Sequence, residues 1–579
     1  MMRFKKLFFT MLLFIGTMVS FADSTQAFKR DELNPQFVYQ QQQMQLMRQG
    51  LAQDTQFSRY GFIHAPVRIP VMGSFKNPNL SAQAALPARY DLRAYNRVTP
   101  VKNQAGCGSC WSFATMGSIE SSLMPGEERD LSPEHLILNH GFDYAPCEGG
   151  HPFMSLAYLS RWGGPINEQD FPYAEGHSAN NGYAELVEKH IQETVFLPER
   201  SSYTDNNAIK QFIVNQGAVV ITYHADDDYL NSANAAYYCD RQVNTNHEVV
   251  AVGWDDNYSA ANFKVRPPGN GAFIVKNSWG KNWGDDGYFH LSYYDKPLSF
   301  FVSLYQAQSI HDFGTNYYHD DLGWVSAYGY DNDTAWGANI FQARNNQPLD
   351  AVGIVLPDVN TSCQIRIYRN VSSNNPTSGE LVHEQTVSKP YPGYYTVRLS
   401  NAVALSTGQQ FSVVTAIRCG GGYTYPIAVE VPIDGYSSQA VSHAGESFIS
   451  ANGQNWHDFV SEQANVCIKA FARSHNTQMQ ASVTKQRINT WVISRSVALI
   501  SVSIPQYQEH NLSKIIIFRK KNNLQAYEAW KEIPVSEMTN GAFTCTDAYL
   551  DENKTYSYKI VAVDDSGTVL ANSGDKVLE

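Results

Sequence analysis

The 579-residue chain is poor in charge and poorer still in cysteine: 17% of its residues are Asp, Glu, Lys or Arg, and eight are Cys. Acidic residues outnumber basic ones, the formal net charge is −12, and no stretch gathers lysines and arginines together. A phosphate backbone needs a clustered basic face, so nucleic acid is excluded as a partner. No segment beyond the N-terminus is long and apolar enough to span a bilayer. Only one close pair of cysteines exists, Cys107 and Cys110, which excludes a zinc site built from two such pairs. No other metal set or cofactor motif is visible. What is abundant is aromatic: 34 tyrosines lead a 13% aromatic content, which favours strands over helical bundles. The length calls for three or four domains.

The N-terminus reads MMRFKKLFFTMLLFIGTMVSFADS. A basic start (Arg3, Lys5, Lys6), an apolar run from Leu7 to Val19, and small residues at Ser20 and Ala22 form the pattern of a cleaved signal peptide. Residues 1–22 are therefore expected to direct export to the extracellular space, where disulfides persist. Residues 23–85 differ from the rest of the chain. NPQFVYQQQQMQLMRQGLAQ predicts a short amphipathic helix, and YGFIHAPVRIP reads as extended, proline-punctuated chain that cannot build its own core.

From Leu86 to Tyr305 helical patterns precede strands. Trp111 to Ser122 reads as one helix, and DLSPEHLILNH as a second with Ser132 as N-cap and Pro133 in its first turn. GAVVITYH, HEVVAVGW, GAFIVKNSW and GYFHLSYY read as strands. Helices first and strands afterwards predict an α+β domain. Residues 306–475 carry short strands with turn signals (ANIFQA, LDAVGIVL, CQIRIYRN, YYTVRLS, QQFSVVTAI), and 476–579 repeat the style in a separate unit (VALISVSI, SKIIIFRKK, TYSYKIVAVDDSG). Both predict β-sandwiches.

The close cysteine pair lies in PVKNQAGCGSCWSFA, followed in order by NHEVVAVGWDD around His247 and KNSWGKNWGDDGYF around Asn277. On these three motifs the chain resembles the papain-like cysteine proteases, whose nucleophile sits in a C-G-[SA]-C-[WY] signature. The resemblance implies a two-lobed α+β peptidase, with protein or peptide substrates and Cys110 as nucleophile. The residue chemistry supports this independently. A free thiol has a pKa of about 8.5, and a sulfur at a helix N-terminus beside a histidine is favoured as thiolate. By the same resemblance His247, 137 residues after Cys110, pairs with the thiolate and later protonates the leaving amine. Asn277 orients its imidazole, and Trp279 covers that hydrogen bond. Gln104 matches the oxyanion donor. Asn277 lies 167 residues after Cys110, farther than is typical, and the excess is assigned to a long hairpin loop, DDNYSAANFKVRPPGNG.

The resemblance further implies a disulfide from Cys107 to Cys147, in CEGGHP, leaving Cys239, Cys363, Cys419, Cys467 and Cys545, an odd number. A second family bridge is missing, since Asn139 stands where a cysteine is expected. Gly149 and Gly150 match the backbone that binds substrate as an added strand, and Pro152 a wall of the specificity pocket, flanked by the less usual His151 and Phe153. Glu248 is open to two readings: negative charge at that pocket, favouring a basic substrate side chain, or a side chain facing solvent or a neighbouring strand. A transglutaminase-like acyl transferase typically has Asp as third residue, so Asn277 and Gln104 argue against it; Cys110 argues against a catalytically dead adhesin.

LPARYDLRAYNRVTPVKNQ resembles a mature N-terminus of bacterial papain-like enzymes, which makes 23–85 a propeptide and 86–305 the peptidase. The family's long prosegment helix is not visible, so YGFIHAPVRIP is expected to lie through the cleft as the enzyme's own inhibitor. Residues 306–475 resemble the lectin-like domain of some secreted bacterial cysteine proteases, through YYHDDLGWV, WGANIFQA, GYYTVRLS and ESFISANGQNWHDF. Residues 476–579 resemble a fibronectin type III module with Tyr556 as corner tyrosine. A glycan or cell-surface ligand for these two domains stays open.

Overall fold

The computed structural model describes residues 27–51, 60–69, 86–174, 186–298, 302–310 and 312–473, and, farther on, 479–489, 494–505, 512–521, 526–548, 550, 551, 553–564, 567 and 569–578. The expected signal peptide, 1–22, lies outside the described residues, as does 70–85 before the expected mature start. Among the described residues no helix is long and apolar enough to cross a membrane.

The helix Cys110–Leu123 is the centre of the α+β unit. It is apolar or small almost all round (CWSFATMGSIESSL), so it can be buried on every face, and every residue from Cys110 to Ser121 is buried. Two shorter helices surround it, Pro133–Asn139 and Pro152–Ser160, each with proline at its start. Ser132 caps the first by accepting from the His135 N–H. The β lobe packs on the other side through strands Val219–Tyr223, His247–Asp255, Ala272–Lys276 and Tyr288–Ser292, antiparallel in that order. The helices and strands read in the sequence are all present.

The strand Val302–Ser309 runs across residue 305 and pairs with Lys189–Leu197 along its length. Lys189–Leu197 in turn pairs with Gly393–Tyr395, so one sheet continues from the α+β unit into the lectin-like region. That β-rich region adds a six-stranded sheet, from Glu380–Lys389 at one edge to His457–Asp458 at the other. The C-terminal unit is a sandwich of three and four strands around its own core, and its Tyr556 hydroxyl accepts from the Asp551 N–H at 2.9 Å.

The N-terminal segment touches both larger units. Lys29–Arg30 adds a strand to Ser326–Gly329, and Phe28 packs edge-on against Tyr328, Tyr330 and Phe459. The expected helix spans Pro35–Arg48 with Asn34 as N-cap, and its buried Phe37, Gln40 and Met44 share one face. Phe37 meets Tyr436 of the lectin-like region edge-on at 5.1 Å, and Arg48 pairs with Glu148.

Candidate active site

Cys110 opens the central helix and is 0% exposed. Its Sγ accepts from the Glu248 N–H at 3.4 Å. His247, first residue of its strand, places Nε2 2.9 Å from Asn277 Oδ1. That strand and Ala272–Lys276 form the arms of a hairpin. The loop of 256–271 therefore bulges away at the far end, and its length leaves the His247–Asn277 contact intact. Trp279 stacks on the imidazole, with ring centroids 4.6 Å apart and planes at 22°.

Gln104 is buried, and its backbone N–H donates to the Ser278 carbonyl while its Oε1 accepts from Ser278 Oγ. Its Nε2 donates to the Cys107 carbonyl at 2.8 Å and reaches the Tyr60 carbonyl at 3.4 Å. The Tyr60 oxygen also stands 3.4 Å from His247 Nδ1. One carbonyl of the N-terminal segment thus sits between the expected oxyanion donor and the expected general acid. The next residues continue along the cleft. Phe62 N–H donates to Asn246 O, Ile63 N–H to Gly150 O, and Gly150 N–H to Gly61 O, so Phe62 and Gly150 form a parallel bridge. Gly150 has no room for a side chain, since a Cβ there would lie 2.4 Å from the Trp111 ring. Gly149, at φ +97°, lies alongside. The segment YGFIHAPV is buried from Tyr60 to Val67.

Cys107 and Cys147 form a disulfide that closes the loop carrying the nucleophile. Cys239, Cys363, Cys419, Cys467 and Cys545 are free thiols and buried. Pro152 starts its helix, and its carbonyl accepts from the Tyr305 hydroxyl at 3.1 Å. His151 and Phe153 do not line an open pocket. His151 Nε2 meets the Tyr436 hydroxyl at 3.0 Å, and Phe153 stacks on Phe196.

Electrostatics in this closed cleft disfavour the thiolate. Burial, followed by the neighbouring Glu248, pushes Cys110 well above the ordinary thiol range. Of the readings open for Glu248, the structure gives a side chain buried beside a neighbouring strand. It is 0% exposed, lies cross-strand from Thr222, and neither carboxyl oxygen has a hydrogen-bond partner. It lines a small, partly open pocket together with Phe113, Gly117, Glu120 and Lys276. Burial raises its pKa well above the usual carboxylate range.

Sequence reasoning missed Tyr173 and Tyr436. The Tyr173 hydroxyl donates to the Gln104 carbonyl at 2.8 Å and stands 3.1 Å from Ser109 Oγ, joining the oxyanion residue to the residue before the nucleophile. Tyr436 joins the N-terminal helix, His151 and the lectin-like region. Both are lone tyrosines outside any motif, so nothing local distinguishes them.

Known proteins resemble both larger regions of the chain. A profile described as papain family cysteine protease matches residues 86–299, and one described as lectin like domain matches 316–472. The probable cysteine protease RD19B of Arabidopsis thaliana is 31% identical over 262 residues, which cover 42% of this chain and 70% of that protein. Two solved structures are similar across both regions. One is the cysteine protease and lectin-like domains of Cwp84, a surface layer associated protein of Clostridium difficile, with TM-score 0.64 and 26% identity, covering 77% of this chain and 98% of that one. The other is a clostridial cysteine protease Cwp84 after propeptide cleavage, with TM-score 0.60 and 27% identity, covering 67% of this chain and 99% of that one.

Proposed function

The chain belongs to the papain family of cysteine proteases and is a cysteine-type peptidase with a lectin-like domain behind it; from that premise we propose that it is a secreted endopeptidase made as a latent zymogen. The proposed nucleophile is Cys110. Once the cleft opens to water, the desolvation that disfavours the thiolate is relieved, and the helix N-terminus and His247 favour it. Attack on a peptide carbonyl drives its electrons onto oxygen, where Gln104 Nε2 and the Cys110 N–H stabilise the oxyanion, a contribution of about 2.7–4 kcal/mol per donor. His247, held by Asn277 and covered by Trp279, then gives its proton to the departing amine, and water releases the acyl group. Gly150 and Asn246 hold the substrate backbone as an added strand, with Gly149 shaping that edge and Pro152 walling the neighbouring pocket.

The observation that supports latency is the Tyr60 carbonyl 3.4 Å from Gln104 Nε2, with residues 61–63 occupying the Gly150 and Asn246 hydrogen bonds. A segment bound there takes the bonds a substrate needs. Its bridge to Gly150 is parallel, so no peptide bond is presented in the antiparallel sense that would exchange both bonds with one residue. Secretion rests on the basic and apolar N-terminus followed by Ser20 and Ala22. The test compares peptide hydrolysis by protein beginning at residue 23 with protein beginning at Leu86. Activity in the second and near-silence in the first is expected; equal rates refute the zymogen.

A further inference from the structure

The C-terminal unit contains a strand pair that its own core does not explain. Ile515, Ile517, Ile560 and Ala562 point into the sandwich. With a strand's period of two, the alternate residues should then be polar. They are Ile516, Phe518, Val561 and Val563, all buried, and they pack on Ile166 and Phe171 of the peptidase. Amid this apolar face sits Lys559, 2% exposed, whose Nζ lies 2.5 Å from Asp170 Oδ2 and 3.2 Å from Glu188 Oε1. Lys520 Nζ donates to the Gln169 carbonyl, and the Tyr527 N–H to the Asp170 carbonyl. A buried charge without its partner is costly, so this pairing fixes how the two units register.

The docked segment leads directly to the catalytic loop. Residues 166–171 are followed closely by Tyr173, whose N–H donates to Glu168 Oε1 at 2.7 Å. The Tyr173 ring packs edge-on against Phe113 of the nucleophile helix, and its hydroxyl bridges the Gln104 carbonyl and Ser109 Oγ. Lys559 thus holds Asp170 within the segment whose Glu168 and Tyr173 are bonded to each other, and Tyr173 reaches the oxyanion donor.

We propose that the C-terminal sandwich is a brace docked on the peptidase, and that Tyr173 is the positioning residue through which docking sets the Gln104–Cys110 loop. The proposal rests on the oxyanion role given to Gln104 above. Tyr173 touches no reacting atom. It restricts the loop so that Gln104 meets the developing oxyanion without reorganising, an effect felt in the transition state and scarcely in substrate binding.

The test uses the activated full-length enzyme, with sites counted by an epoxide thiol inhibitor so that kcat is per reactive cysteine. Tyr173→Phe and Lys559→Met are each expected to lower kcat about fivefold to tenfold with KM within about twofold, the kinetic size of one lost hydrogen bond. The double variant should cost little more than either alone, because both act on one path. Asp575→Asn, at the rim of the Lys559 cluster, is the milder second variant should Lys559→Met fail to fold, and it should shift kcat in the same direction. Unchanged kcat in folded Lys559→Met or Asp575→Asn, or additive losses in the double variant, overturns the brace. Normal inhibitor capture with lowered kcat supports it. A wild type whose reactive thiol is not Cys110 refutes the catalytic reading instead and is seen before any variant is compared.

Discussion

Replacing Gly61 by alanine should unlock the full-length chain. Gly61 adopts φ +96°, and an added Cβ would lie 2.2 Å from the Gly108 carbonyl carbon and 2.3 Å from its oxygen. Both are main-chain atoms of the loop that carries the nucleophile, so no side chain can swing aside. The left-handed conformation alone costs a non-glycine residue about 1–2 kcal/mol. Relieving the overlap means lifting the segment, which loosens the three main-chain bonds that Gly150 and Asn246 make with residues 61–63. Each is worth about 1 kcal/mol net, and lifting at one end forfeits part of that total. Closure is then weakened by roughly 3 kcal/mol, a rise of roughly a hundredfold in the open fraction. The assay is the initial rate of fluorogenic peptide hydrolysis, read before any cleavage of the segment appears on a gel. Protein beginning at Leu86 sets the ceiling. The variant should hydrolyse the peptide roughly a hundredfold faster than the wild type, with a thermal midpoint lowered by several degrees as the lost closure energy implies. A folded variant as silent as the wild type, beside an active Leu86 form, would show that the close passage over Gly108 does not hold the cleft shut.

The same geometry sets four further outcomes. Asn277→Ala removes the acceptor 2.9 Å from His247 Nε2 and should lower kcat/KM roughly tenfold to a hundredfold, as for loss of a hydrogen bond to a charged group; steady-state kinetics on the mature form decides. Gln104→Ala should lower kcat by about 10²–10³ with a smaller change in KM, the signature of a lost oxyanion donor. Replacing both Cys107 and Cys147 by serine opens a bridge of sequence separation 40. In the chain-entropy view this costs about 4 kcal/mol, seen as a lowered urea midpoint with a steeper slope, because the unfolded chain becomes less compact. Acidification should open the zymogen. Burial lowers His64 to about 4, while a free imidazole titrates near 6.5. The open form therefore takes up a proton that the closed form refuses, so closure is strongest above pH 6.5 and is lost progressively down to pH 4. The rate of epoxide capture should rise across that window, and His64→Asn should flatten the rise.

The residues of the candidate site were legible because each sits in a dense local motif, and because the flanking patterns place them on a helix start, a strand start and a strand end. A hairpin loop was the right account of the long His247–Asn277 separation, since extra residues at the far end of two paired strands move neither end near the site. The cleft-crossing YGFIHAPV was legible because it lies in YGFIHAPVRIP, whose prolines leave it no core of its own. Partners distant in sequence were not legible. Nothing around Lys559 names Asp170, 389 positions away, and nothing in Lys29–Arg30 names Ser326–Gly329 as the edge it joins. A period-two pattern gives a strand and its faces but no pairing. One signal was available: IIIF and IVAV are apolar on both faces, which in an antiparallel sheet means a second covered side. The burial of Glu248 was not legible because a charged residue is usually exposed, whereas here its strand is buried on both faces.

The central claim is a thiol at Cys110 activated by His247. It is tested most directly by treating the mature protein with an epoxide inhibitor of cysteine proteases and mapping the adduct by mass spectrometry. A single adduct on Cys110, captured much more slowly in His247→Ala, is the predicted result. An adduct on any of the other free cysteines, or capture at Cys110 that proceeds at an unchanged rate in His247→Ala, would contradict it.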